Sequence, residues 1–176
     1  MNTLILSQII DSTPNIGHIN IIRENDGIAR DLPPFVVYKN DFYPHLALKV
    51  AQKYLEKKEG LKLSEYIINK NDELLLGYRK MPLTLNGTAI LNWYGPSGMN
   101  NQNSFEYIPM WKVEKTMYEG ARLIPQNYFQ DKIIYIGTSA TSLFDLKSVP
   151  TDRIFPGVEI HTTFINNILD NNFIKR

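Results

Sequence analysis

The sequence predicts a single α/β domain spanning residues 1–176, with a mixed sheet flanked by helices. Residues 45–58 and 158–169 carry apolar side chains at helical spacing, residues 132–136 (KIIYI) form a continuous apolar run of strand length, and Asn86-Gly87 separates two further apolar runs. A helix with one apolar stripe must bury it against another layer, so amphipathic helices and strands together in a chain of 176 residues imply a layered α/β domain.

Taken in order, residues 18–23 (HINIIR) and 35–38 (FVVY) are short β-rich runs, and Asn25-Asp26-Gly27 between them supplies residues that tolerate positive φ. They are expected to pair antiparallel. Tyr43-Pro44 opens a helix over residues 45–58, with Leu46, Val50, Tyr54 and Leu55 on one face, Lys49, Lys53 and Lys57 on another, and Gly60 as its stop. The lysine face reads as a solvated one. A short helical stretch is expected at residues 63–68, then strands at residues 73–76 and 81–85. Asn-Gly is the preferred filling of a two-residue type I′ turn, so residues 83–85 and 88–94 are expected to form a hairpin that ends at Gly95-Pro96. A polar loop at residues 97–104 precedes a helix over residues 109–119, with Met110, Val113 and Met117 turned inward. The run at residues 132–136 is expected to be a central strand covered on both faces. Last comes a helix over residues 158–169, whose stripe of Ile160, Phe164, Ile165, Ile168 and Leu169 docks on the sheet.

Composition narrows the function. Apolar residues at 43% are enough to build a core, while a net charge of +1 gives no field able to hold a polyanion, so nucleic acid is not expected as a partner. With no cysteine there is no disulfide framework, thiolate metal site or cysteine nucleophile. No apolar run reaches the roughly 18 residues of a membrane span, and the first eleven residues lack a signal-peptide pattern.

Several residues invite a chemical reading. His18, His45 and His161, with Glu159 or Asp26, have the ligand types of a zinc site, but Glu159 and His161 stand two apart, outside the usual metal spacings, and no metal is expected. His161 is expected to cap or pack at a helix start, and His18 to pair with a carbonyl or Asp26. Ser139, Asp145 and His161 are the residue types of a hydrolase triad, yet Thr141 stands where a nucleophile elbow needs its second glycine, so the chain is read as no enzyme. The backbone after residues 132–136 offers a better site: Gly137, Thr138, Ser139 and Thr141 follow a strand where open α/β sheets bind small polar ligands. Asn92 and Tyr94 are alternate residues at a strand end, able to present an amide and an aromatic ring to one cleft, and with His161 they complete the candidate ligand set. The competing reading of the Gly-Thr-Ser run is an ordinary turn held by hydroxyl-to-backbone bonds. Trp93 reads as half-buried packing, and Asp26 with Arg30 as an ion pair that closes a turn.

The ordered stretches Gly17-His18-Ile19-Asn20, Asp26-Gly27-Ile28-Ala29-Arg30, Tyr43-Pro44-His45-Leu46-Ala47-Leu48, residues 87–96 (GTAILNWYGP), residues 132–140 (KIIYIGTSA), Asp145 and Pro156-Gly157-Val158-Glu159-Ile160-His161 resemble the CHASE type-2 domain, the cyclase/histidine-kinase-associated sensory extracellular kind. The resemblance covers most of the chain and corresponds to the C-terminal portion of that family's domain, with the strands that normally precede Gly17 mostly missing. It implies the signal-input domain of a bacterial transmembrane receptor, on the periplasmic or extracytoplasmic side, with an intracellular cyclase or kinase output. The implied partners are a small ligand or a periplasmic protein, and the membrane through flanking spans outside this chain; a homodimer is compatible, and no cofactor is expected. The alternatives are a dimerisation or scaffold module that binds nothing small and, further off, a small serine hydrolase.

Overall fold

The computed structural model describes residues 15–63, 66–98, 105–138 and 145–175. The chain divides into two compact units, one made of Met1–Trp93 with Ile160–Arg176 and the other of Tyr94–Glu159. The α/β class is as expected, with the strands of the described residues distributed over small antiparallel sheets.

In the first unit, β1 (Asp31–Leu32) pairs with β7 (Ala89–Ile90), β2 (Phe35–Tyr38) with β3 (Asp41–Pro44), and β5 (Glu73–Leu76) lies between β4 (Ile67–Ile68) and β6 (Arg79–Pro82). Helix α1 (Leu46–Glu59) forms where the apolar period predicts it, because both ends carry stop chemistry. The His45 ring caps the start by accepting from the Ala47 N–H, and Gly60 ends the helix in the left-handed conformation at φ 66°. Its buried side is Ala47, Leu48, Ala51, Gln52 and Leu55, a face rotated from the expected one, since Leu46, Val50 and Tyr54 are only half-buried. The final helix α3 (Gly157–Asp170) spans the boundary between the units. Within the first unit it buries Ile160, Phe164, Ile165 and Ile168, as its stripe predicts.

Three strand expectations are corrected here. Residues 35–38 pair with β3, not with residues 18–23, because Lys39 and Asn40 take φ of 49° and 66° and close a two-residue turn of the type that matches strand twist. Residues 67–68 are strand, not helix. Around Asn86-Gly87, Gly87 takes φ 73° but Asn86 does not have positive φ, so the turn is not type I′; Thr84 and Thr88 close it through backbone and hydroxyl, and the following strand pairs with β1.

The second unit holds α2 (Met110–Tyr118) and the hairpin of β8 (Leu146–Val149) with β9 (Asp152–Pro156). Two further corrections fall in it. Helix α2 turns Lys112, Val113 and Thr116 toward its unit, while Met110 and Met117 are 60% and 68% exposed and share an outward stripe with Trp111 and Tyr118. The run at residues 132–136 joins no ladder among the described residues: Ile133 and Tyr135 are half-buried, and Ile134 and Ile136 are 52% and 82% exposed. A continuous apolar run does not reveal whether one face or two are covered, and here the alternation is that of a one-sided segment.

Candidate functional site

Within the first unit the sequence motifs meet one another. Gly17-His18 lies against Pro44-His45-Leu46, where the His18 N–H donates to the Pro44 carbonyl at 3.0 Å and the Leu46 N–H to the His18 carbonyl at 2.8 Å, a parallel bridge. Gly17 is required there, since a Cβ would stand 2.5 Å from Leu46 Cα. This pairing sets the His18 ring edge-on to His45 at 4.9 Å between centroids, and α3 brings His161 to 5.0 Å and Phe164 to 5.2 Å from the same His45 ring. His45 is fully buried. Burial holds both imidazoles neutral, pushing His18 down to about 4 and His45 to about 2, the latter with smaller repulsions from His161 and His18.

The three histidines therefore do gather, across separations too long for any local spacing rule to signal. No group of three or more potential ligands among the described residues is placed to hold a metal ion. The Nδ1 atoms of His18 and His45 already accept from the backbone N–H groups of Asn20 and Ala47. His18 is not paired with Asp26. Instead Asp26 binds Arg30 at 2.6 Å and accepts from the Ile28 N–H, which closes its turn as expected and holds its carboxyl down at about 2.

Asn92 is engaged by α3. The Asn167 side chain, fully buried, accepts from the Asn92 N–H at 2.8 Å and donates to the Asn92 carbonyl at 3.0 Å, so one amide takes the place of a neighbouring strand. Asn167→Ala is expected to destabilise the chain by about 2–4 kcal/mol, because a buried N–H and C=O each lose their partner. Urea denaturation measures it with Asn167→Asp as comparison; the aspartate keeps the acceptor but sets a desolvated carboxylate oxygen against the Asn92 carbonyl, so it should cost at least as much as alanine.

In the second unit the motifs converge on the first turn of α3. The Gly157 N–H donates to the Asp145 carbonyl at 2.8 Å, and a Cβ on Gly157 would collide with the Asp145 carboxylate. That carboxylate stands 3.2 Å from Lys147 Nζ, beside the positive end of the helix. Gly137 lies so close to α3 that a Cβ would come 2.7 Å from Val158. Glu159, 2% exposed, accepts from Ser97 Oγ and Tyr107 Oη, both at 2.7 Å, and from the Gly98 N–H at 2.8 Å. Tyr107 is raised above its ordinary value by burial and by the bond to this carboxylate. The loop after Gly95-Pro96 is thus fastened by an acid that sequence reasoning weighed only as a metal ligand.

Of the candidate ligand residues, Gly137 and Thr138 are exposed in the second unit, Ser139 and Thr141 lie outside the described residues, and Tyr94 packs edge-on to Phe105 at 6.3 Å. Asn92 and His161 belong to the first unit, the one bound to Asn167 and the other against His45.

Within each unit, motifs from separate parts of the sequence are spent on fastening α3. The chain belongs to the CHASE2 domain family, which matches residues 2–176, and that family is one of extracellular sensory domains. No curated protein and no solved structure matches it significantly. No helix among the described residues is long and apolar enough to cross a membrane.

Proposed function

We propose that this chain is the signal-input domain of a bacterial transmembrane receptor on the periplasmic side, coupling a small ligand or a periplasmic partner to an intracellular cyclase or kinase, with no catalysis of its own. The observation that carries the reading is membership of the sensory family over residues 2–176. The way the chain leaves α3 supports it. Arg79 grips Glu59 through both guanidinium nitrogens at 2.7 and 3.0 Å and donates to the Leu169 carbonyl, the Lys80 N–H donates to Asn171, the Ile174 N–H to Ile90, and Lys175 pairs with Glu73 at 3.1 Å. A segment tied to α1, β5, β6 and β7 at once moves when any of them moves, which is what relay by a final helix requires. A ligand that favours one arrangement shifts the population by its difference in affinity for the two.

Two measurements test this. A parent gene with an apolar span beyond Arg176, followed by a cyclase or kinase, is the expected context, and a cytoplasmic parent without anchors would overturn it. A thermal-shift screen of metabolites and ions should find a compound that stabilises by about 2.7 kcal/mol at 100 times its dissociation constant. The outward stripe of Met110, Trp111, Met117 and Tyr118 favours a second reading, a dimerisation module without a small ligand. Silence in the screen together with concentration-dependent dimerisation would select it.

A further inference from the structure

We propose that His18, His45 and His161 form a proton-sensitive latch that holds the start of α1 against α3 and that acidification opens. The response to acid is decided by which nitrogen is occupied. Both His18 and His45 use Nδ1 to accept a backbone N–H two residues on, from Asn20 at 3.2 Å and from Ala47 at 3.1 Å. An imidazole nitrogen that accepts carries no proton, so in each ring the single proton is on Nε2. A second proton has only Nδ1 to occupy, and there it turns the acceptor into a donor facing an N–H. Protonation therefore abolishes the cap of α1 and the turn at His18 directly.

The surroundings add to the cost of that charge. Among the described residues, Nε2 of His18 and of His45 is buried with no hydrogen-bond acceptor, so a cation gains nothing on that side. The cap position faces the positive end of the α1 dipole, and the first turn of α1 contains no acidic residue. Lys49, the cation nearest the cap on α1, meets His45 through its backbone N–H on the His45 carbonyl. From the residue before β2 the approach is the Pro34 carbonyl, which accepts from the His45 N–H, and at the end of β3 the Pro44 carbonyl accepts from the His18 N–H; from α3 it is His161 and Phe164; from the N-terminal segment it is His18. Among the described residues the ionisable groups acting on His45 are the two other histidines, and both oppose its charging. Glu159, on the same helix as His161, is committed to Ser97, Gly98 and Tyr107.

The sign follows from linkage. The native pKa values lie below the unfolded value of 6.5, so the stabilisation is complete above it and is lost as the pH falls, saturating near 4 for His18 and continuing toward 2 for His45. Between about pH 7.5 and 5.0 each of these histidines should raise the unfolding equilibrium constant about 30-fold, about a thousandfold together. Carboxylates titrate mainly below this window, which isolates the histidines.

The inference does not depend on the receptor reading, and its test uses the full chain alone. Urea denaturation is followed across that pH range for the wild type and for His18→Asn/His45→Asn. Asparagine accepts the same backbone N–H through Oδ1 and does not titrate, so the variant should fold with most of the pH dependence gone. Should the variant not fold, hydrogen exchange of the Ala47 amide in the wild type, corrected for the intrinsic pH dependence of exchange, decides the matter. Loss of its protection through the same range supports the latch, and unchanged protection overturns it. A variant that keeps the wild-type pH profile overturns it equally.

Discussion

Phe164→Asp is expected to leave the chain unfolded in buffer at room temperature, and Phe164→Ala to cost about 3–5 kcal/mol, the largest effect of any apolar truncation in the first unit. Phe164 is fully buried, edge-on to His45 at 5.2 Å and to Phe173 at 5.8 Å, so one ring joins the α1 cap, the body of α3 and the segment that follows it. A carboxylate there would be desolvated against the Phe173 ring and the buried His45, a penalty of several kcal/mol against a total stability of about 5–15 kcal/mol. Circular dichroism of the aspartate variant and urea denaturation of the alanine variant are the measurements. A cooperative melt for Phe164→Asp near that of the wild type would mean that α3 does not carry the core.

That such a result can be expected from the sequence at all reflects how local the signals of α1 and α3 are. The stripe of α3 was legible because Ile160, Phe164, Ile165 and Ile168 repeat within one helix, and α1 was legible because Gly60 marks its end in the sequence as well as in space. Facing was less legible. Helix α2 has its Met, Trp and Tyr residues at helical spacing, yet the period reports only that one side is apolar, and in the structure that side is turned out. The two-residue turn at Lys39-Asn40 lacks the glycine that usually announces it, while Asn25-Asp26-Gly27 has one and closes only its own loop. The histidine cluster had no sequence signal beyond the residue type, since His18, His45 and His161 come from three separate segments joined only by tertiary packing. What the motifs did reveal was their role as a set. Gly17, Asn92, Gly137, Asp145, Gly157 and Glu159 each turn out to meet another motif or α3.

The second large effect is expected at Glu159. Replacing it with alanine removes the acceptor for Ser97 Oγ, Tyr107 Oη and the Gly98 N–H together, and burial keeps water from taking its place, so Glu159→Ala should cost about 3–5 kcal/mol. Glu159→Gln keeps the shape and one acceptor oxygen but aims an amide N–H₂ at a group that is itself a donor. Its cost should be smaller, about 1–3 kcal/mol, and larger than that of Tyr107→Phe, which withdraws one donor and leaves the carboxylate its other bonds. Urea denaturation ranks the three, and hydrogen exchange at the Gly98 amide, protected in the wild type by the carboxylate, should rise in the order Phe, Gln, Ala. If alanine proves as mild as phenylalanine, the carboxylate is not what holds the loop after Gly95-Pro96.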